Sequence, residues 1–298
     1  MDSRATETLS VDPQDNQTPG SPADRRPWAF RTAVANLLLP SRCVLGVGPR
    51  ASLHWLVPGG LLIGLLYVGL FRASWRVFGE VGGVRLMPAL AVWLADGMLF
   101  GLVMFLGAAQ TVDRWKGRDL AAEADAGRAL GQAGLTALFV LLVVKLVLWC
   151  SLPEGVAGWP ADWRRHFNFA YPRPVLRPLI LAPLWGRWAL ILAAGIGRRA
   201  PGAGAPDKTP APPPSPAAVL GWFLPILALT AVYCGRQGRW MIGCIIGLAV
   251  MGVAFLFAVI VSRRFLGHTR FTVLATGLVA EIAFLLCYLA ASQRIYYY

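Results

Sequence analysis

Four ionisable residues lie inside strongly apolar stretches of this 298-residue sequence. They are Asp96 in VWLADGM, Lys145 in LVVKLVL, Arg187 in LWGRWAL and Glu281 in LVAEIAF. A charged group within a bilayer costs free energy, so each is expected either to be paired or to belong to a functional site. Pairing between helices, or snorkelling of the Lys145 stem, is the structural alternative. Arg187 could instead bind a phosphate through its planar guanidinium.

Two polar segments between apolar runs form a second group of candidates. The segment 113–130 is the most strongly charged, and it leads into Gly131 and Gly134 at the start of the next run. Glycines at a helix N-terminus let phosphate oxygens approach backbone N–H groups. The segment 263–272 adds cationic and hydroxyl side chains, among them Arg263, Arg264 and Thr269. Together the segments suit an anionic, phosphate-bearing substrate, although 113–130 could also be a plain solvated loop.

The elements that must position these residues are apolar runs of membrane-spanning length. Hydrophobic residues make up 56% of the chain and charged residues 14%, whereas soluble domains carry about 25% charged residues. A span needs roughly 20 apolar residues. The runs predict an all-α, polytopic membrane bundle of about seven transmembrane helices, near 54–72, 87–112, 131–152, 175–196, 218–235, 239–262 and 270–291.

Composition also predicts how the chain is organised outside the spans. Residues 1–27 are polar and too poor in apolar side chains to form a core, so we expect a disordered tail. Residues 28–298 form the integral membrane domain, with an interfacial helix expected within 28–50. A Pro-rich stretch at 200–216 is a flexible or extended loop.

The net charge of +13 points to lipid headgroups rather than to nucleic acid, because the basic residues sit between apolar runs. The larger share of Lys and Arg falls on the side of the N-terminus. We therefore expect a multi-pass protein of the cell inner (cytoplasmic) membrane with its N-terminus in the cytoplasm. The five cysteines form no CxxC pair and the three histidines are scattered, which indicates neither a disulfide framework nor a zinc site.

Several segments carry a family resemblance when they are taken in order. They are PGGLLIGLL at 58–66, FLGAAQTVD at 105–113, LGQAG at 130–134 followed by Lys145, APLWGRWA at 182–189, LGHT at 266–269, and Glu281. These resemble the PLxGLLLGLL, HLDGLADTxDG, LGTxG, APxxGRWA and GGxT motifs, and the last-helix glutamate, of the cobalamin synthase family, the adenosylcobinamide-GDP ribazoletransferases. The likeness covers roughly residues 54–290.

The chain departs from the family at acidic positions. Leu106 and Gln110 stand at the first two aspartates of the acidic signature, and only Asp113 matches the third. Further acidic positions of the family are held by Phe271 and Leu278. A register with Asp96 at the third aspartate makes the spacing from the first span too short and that to Gly131–Gly134 too long, so the Asp113 register is preferred.

The resemblance implies a membrane enzyme that acts late in the assembly of vitamin B12. Such an enzyme joins α-ribazole or its phosphate to adenosylcobinamide-GDP, releases GMP and uses Mg²⁺. The implied catalytic residues are Asp113, Gln110 and Glu123, and the implied metal ligands are Asp113 and Asp119. The implied substrate-binding residues are Gly131, Gly134, Arg187, Arg263, Arg264 and Thr269.

Two other functions stay open on the sequence alone. The missing carboxylates suit a catalytically inactive or repurposed relative that binds a corrinoid. A small-molecule transporter would use the four ionisable residues within the spans as pathway residues. Seven spans without a detectable inverted repeat disfavour the transporter.

Overall fold

The structure is a computed structural model, and it describes most of the chain downstream of residue 54. The described residues are 55–79, 86–100, 102–117, 130–153, 174–196, 214–235 and 240–296. The predicted tail at 1–27 and the predicted interfacial helix within 28–50 lie outside them. So do two of the implied site residues, Asp119 and Glu123.

Within these ranges the chain forms eight helices. They are α1 (Leu56–Phe78), α2 (Leu86–Phe100), α3 (Val103–Trp115), α4 (Gln132–Cys150), α5 (Arg177–Gly195), α6 (Pro216–Cys234), α7 (Trp240–Arg264) and α8 (Arg270–Tyr296). Six of the eight, α1 and α4 to α8, are long and apolar enough to cross a membrane. The predicted all-α, polytopic membrane bundle is confirmed.

The second predicted span, 87–112, is divided into two helices rather than one. α2 ends at Phe100 and α3 begins at Val103, and Leu102 between them has a φ of 52°. A left-handed residue cannot continue a right-handed helix, so the regular hydrogen bonding stops there. The single continuous helix predicted from the apolar pattern is therefore wrong, and two shorter helices take its place.

α5 is the central helix of the bundle. Its residues from Arg177 to Ala193 are all buried. α1 and α8 make its main contacts, and α6 and α7 cover further parts of its surface. A helix that is apolar on every side must be buried all round. The surface of α5 is buried by the neighbouring helices and not by lipid.

The contacts between α3 and α8 show that the two helices are antiparallel. Gly107 of α3 faces Leu274, whereas Met104, earlier on α3, faces Gly277, later on α8. The C-terminal end of α3 therefore lies beside the turn that joins α7 to α8. α4 begins at the same end, because its first backbone N–H groups contact Asp113. We call this side of the bundle the Asp113 end.

The predicted Pro-rich loop, 200–216, is one residue too long at its C-terminal side. Pro216 is the first residue of α6, and the Ser215 side chain accepts a hydrogen bond from the Ala218 N–H. Serine before the helix and proline at its first position are the usual start signals. Pro225 lies inside α6, which stays helical through it.

Candidate functional site

Lys145 lies between two carboxylates in the interior of the bundle. Its Nζ donates to Oδ2 of Asp96 at 3.0 Å and to Oε2 of Glu281 at 2.8 Å. Lys145 and Glu281 are buried, whereas the Asp96 side chain keeps 13% of its surface exposed. Paired charges offset the cost of removing each from water. For these three residues the structure shows pairing between helices, one of the two alternatives left open by the sequence.

Aromatic side chains complete the surroundings of Lys145. The rings of Phe105 and Trp149 have their centroids 5.1 Å from Nζ, within the range of a cation–π interaction. The Tyr67 hydroxyl donates to Oδ1 of Asp96. The hydrogen-bonded group is called the Lys145 cluster, and its members are Tyr67, Asp96, Lys145 and Glu281.

Arg187 belongs to the same interior region. It is buried on α5 and interacts electrostatically with Glu281 and Tyr67 of the Lys145 cluster. The region then holds two cations and two carboxylates, so its charges balance. Gly60 of α1 leaves room for the arginine, since a methyl group there would lie 2.9 Å from Cγ of Arg187.

At the Asp113 end, the carboxylate of Asp113 caps the N-terminus of α4. Its Oδ2 accepts a hydrogen bond from the Gly131 N–H at 2.7 Å, and its Oδ1 accepts one from the Gly134 N–H at 2.6 Å. Asp113 is buried, and a methyl group at Gly134 would collide with it. The glycine N–H groups predicted to face a phosphate therefore bind this carboxylate, an anion that suits a helix N-terminus.

Gln110 lies one helical turn before Asp113 on α3. Its Oε1 is buried and accepts no hydrogen bond from the part of the chain that the structure describes. A buried oxygen without a donor is costly, so it is available to a ligand. No group of three or more His, Cys, Asp or Glu that could hold a metal occurs among the described residues. Within the described ranges, Gln110 and Asp113 thus contribute an amide oxygen and a carboxylate at this end.

The α7–α8 turn contributes the cationic side of the Asp113 end. Arg263 and Arg264 form the last turn of α7, and both are exposed. Thr269 caps α8: its Oγ1 accepts from the Thr272 N–H at 3.3 Å, and its own N–H donates to Oγ1 of Thr272 at 2.9 Å. This reciprocal arrangement is a capping box. The Thr269 hydroxyl, which the resemblance implies for substrate binding, takes part in the cap.

The two polar segments predicted from the sequence meet at this end. The Trp115 and Phe265 ring centroids are 5.9 Å apart, and the Arg114 guanidinium lies 5.1 Å from the Phe265 centroid. α3 and the α7–α8 turn are therefore in direct contact. Their predicted juxtaposition is confirmed, while the chemical roles of their residues stay predictions.

The Lys145 cluster is remote from the Asp113 end. Glu281 is twelve residues beyond Thr269 on α8, which is about 18 Å at a helical rise of 1.5 Å per residue. The structure therefore divides the predicted site. Arg187 lies in the interior, and one set lies at the Asp113 end: Gln110, Asp113, Gly131, Gly134, Arg263, Arg264 and Thr269.

Sequence reasoning missed Tyr67 as a member of the interior group. The signal available was a single hydroxyl within the apolar run GLLYVGL. A tyrosine in a span usually needs a partner for its hydroxyl. Its pairing with Asp96 depends on how α1 packs against α2, which spacing along the chain does not give.

Comparison with protein families gives a match over most of the chain. A family profile described as cobalamin-5-phosphate synthase matches residues 39–290. The matched range contains the Asp113 end and the whole Lys145 cluster. Comparisons with curated proteins and with solved structures gave no match.

Proposed function

The chain belongs to the cobalamin-5-phosphate synthase family, and from this membership we propose that it joins α-ribazole or its phosphate to adenosylcobinamide-GDP. A hydroxyl oxygen of the ribazole forms a bond to the phosphorus that carries the cobinamide, and its proton is released to solvent. The bond from this phosphorus to the GMP oxygen breaks, and GMP leaves. The family acts late in cobalamin biosynthesis, and the six long apolar helices of this chain support a reaction at a membrane.

The observation that carries this proposal is the contact between α3 and the α7–α8 turn. It brings the exposed guanidinium groups of Arg263 and Arg264 to the same end of the bundle as the oxygens of Asp113 and Gln110. Transfer from a diphosphate requires neutralised phosphate oxygens and an aligned nucleophile. The arginines suit the diphosphate, because guanidinium groups bind phosphate oxygens in pairs.

Mg²⁺ is part of the proposal, and the donors at this end meet its minimum requirement. The ion takes one or two carboxylates together with substrate phosphates. Gln110 offers a buried oxygen that has no hydrogen-bond partner among the described residues, and each Asp113 oxygen keeps a lone pair beyond its backbone hydrogen bond. Asp119 and Glu123, outside the described residues, extend the candidate set. When bound, the ion would supply charge neutralisation on the phosphate oxygens.

Release of GMP by the purified full-length protein in liposomes tests the proposal directly. We expect release from adenosylcobinamide-GDP and α-ribazole with Mg²⁺, and none when the ion is removed. Gln110→Leu should lower the rate at least about tenfold, since each 1.36 kcal/mol of lost transition-state stabilisation is a factor of ten. It should leave the fold intact, because Gln110 Oε1 makes no hydrogen bond within the described chain. Leu106→Met, one turn earlier at an exposed position, is the matched control.

One observation favours a second candidate, a relative that binds a corrinoid without turnover. Both oxygens of Asp113 are already engaged by backbone N–H groups, which is a structural use of the carboxylate. This candidate predicts that adenosylcobinamide-GDP binds but that no GMP appears at any Mg²⁺ concentration. GMP release that is lost in Gln110→Leu would eliminate it.

A further inference from the structure

Leu266 is a hydrophobic residue in an unfavourable conformation at the tip of the α7–α8 turn. Its φ is 54°, a left-handed value that suits glycine and strains a residue with a β-carbon. The Gly267 N–H donates to the Ser262 carbonyl at 2.8 Å and closes the turn around it. Helix C-termini usually carry glycine at such a position. Glycine is also the first residue of the GGxT motif that this segment resembles.

The Leu266 side chain gains little from the rest of the protein. It is 79% exposed, although it is a large apolar group. Glycine would relieve the backbone strain at no loss of packing. The leucine is therefore favourable only where an apolar phase outside the protein covers it.

The bilayer that α7 crosses ends close to this turn. α7 has 25 residues, about 37 Å at 1.5 Å per residue, which exceeds a hydrocarbon core of about 30 Å. Its sequence is apolar up to Val261 and becomes basic at Arg263. The turn that follows is thus placed at the level of the headgroups.

Exposed groups around the turn are aromatic and basic. Trp115 is 42% exposed and packs on Phe265, the neighbour of Leu266. Lys116, Arg263 and Arg264 are exposed as well. Among the described acidic residues, Asp113 alone lies at this end, and it is buried. Tryptophan with a basic collar is typical of the membrane interface, where anionic headgroups attract the cations.

We propose that the α7–α8 turn is a membrane anchor that binds an anionic phospholipid leaflet. Leu266 inserts among the acyl chains, and Lys116, Arg263 and Arg264 bind the headgroup phosphates. Arg263 and Arg264 are shared with the proposed diphosphate site, so they bind the headgroups when no substrate is present. Anchoring is measured without substrate and without turnover. An absence of GMP release would leave it standing, and its failure would leave the reaction standing.

The depth of residue 266 in the bilayer tests the insertion. Full-length Leu266→Cys is labelled with bimane in liposomes of mixed anionic and zwitterionic phospholipid, with the wild-type chain labelled in parallel as the background from native cysteines. The matched control is Lys116→Cys at the same end. We expect lipid-borne nitroxide to quench the label at 266 at least twofold more strongly than aqueous iodide does, and the reverse order at 116. Preferential iodide quenching at 266 would overturn the insertion.

The lipid composition tests the headgroup part. In liposomes of zwitterionic phospholipid alone, the quenching by lipid-borne nitroxide at 266 should fall to half or less. Arg263→Gln combined with Arg264→Gln should cause a similar fall in anionic liposomes. Quenching that is the same in both compositions and in the double variant would refute recognition of anionic headgroups.

Discussion

At the scale of single residues, the low dielectric constant of the membrane interior determines why the charges of the Lys145 cluster must be paired. An isolated ion in a low-dielectric interior costs several kcal/mol, and a partner offsets most of this only when the hydrogen bonds are good. Lys145 makes two charge-assisted hydrogen bonds, to Asp96 and to Glu281. Its two carboxylate partners sit on different helices. The lysine therefore stabilises the relative position of α2, α4 and α8.

Lys145→Met should destabilise the protein strongly. The substitution keeps the length of the side chain but leaves the Asp96 and Glu281 carboxylates without their shared cation. Breaking a buried pair in this way costs about 3–5 kcal/mol. The measurement is the free energy of unfolding in mild detergent with increasing denaturant. Val143→Met, at an exposed position on the same helix, should change it little.

Restoring neutrality provides the reverse experiment. Adding Asp96→Asn alone to Lys145→Met leaves one cation, Arg187, and one carboxylate, Glu281, in the region. The charges then balance again, so part of the lost stability should return. If Lys145→Met alone unfolds at the same denaturant concentration as the wild type, the ion pairs do not hold these helices together.

His268 gives the fold a dependence on pH that lies outside the membrane spans. Burial in the α7–α8 turn lowers the pKa of this histidine from its usual 6.5 to about 4. Between these values the unfolded chain binds a proton that the folded chain does not, so the free energy of unfolding falls as pH drops from about 6.5 to about 4. Above pH 6.5 this contribution is complete and constant. Unfolding midpoints measured across this range should show the loss.

The matched variant for this prediction is His268→Gln. Glutamine does not titrate, so the difference in stability between wild type and variant should change across pH 4 to 6.5 and stay constant above it. A difference that is constant over the whole range would show that His268 is accessible to protons in the folded chain.

Sequence reasoning at this scale identified which residues need partners but not which partners they have. Asp96, Lys145 and Glu281 stand out because a charge in an apolar run is rare. Their mutual pairing depends on the angles at which three helices pack. Gly131 and Gly134 were predicted to face a phosphate, and in the structure their N–H groups donate to the Asp113 carboxylate. A phosphate and a carboxylate would both be bound there for the same reason, because the N-terminus of a helix attracts anions.

At the scale of elements, the start of α8 depends on a pair of threonines. Thr269→Val should remove the oxygen that accepts the Thr272 N–H, leaving a first-turn donor without its partner. Loss of a helix cap costs about 1 kcal/mol, and the free energy of unfolding in detergent measures it. Thr136→Val is the control, because Thr136 is exposed and, among the described residues, its hydroxyl donates only to the Gln132 carbonyl of its own helix. Equal effects of the two substitutions would contradict a capping role.

The helices show where an apolar pattern carries enough information and where it does not. The predicted runs at 239–262 and 175–196 agree closely with α7 and α5, because each is a continuous apolar stretch of spanning length. The run 87–112 is equally apolar, yet the chain breaks at Leu102. Hydropathy reports the preference for lipid and contains no term for the direction of the backbone. The break therefore could not be predicted from it.

At the scale of the whole molecule, the order of the spans was enough to place the polar turns. Four spans, α4 to α7, lie between the end of α3 and the α7–α8 turn. Because each span changes the side of the membrane, an even number returns the chain to the side on which it began. The end of α3, the start of α4 and the α7–α8 turn therefore lie at one end. The order of the spans does not predict how deep Arg187 lies in the bundle. Its separation from Asp113 follows from the register of α5 against α1 and α8, which close contacts at glycines determine.

The register of α1 against α5 can be tested by substituting glycines of α1 alone. A methyl group at Gly64 would lie 2.7 Å from both Cα and O of Ile180, so Gly64→Ala must push two backbones apart. Overpacking of this kind costs about 1–3 kcal/mol, and the free energy of unfolding should fall by that amount. Gly69→Ala on the same helix meets nothing within 4 Å, and alanine's better helix propensity, up to about 1 kcal/mol, should leave it neutral or slightly stabilising. Destabilisation of similar size at both positions would mean that α1 requires flexible glycines rather than a close approach to α5.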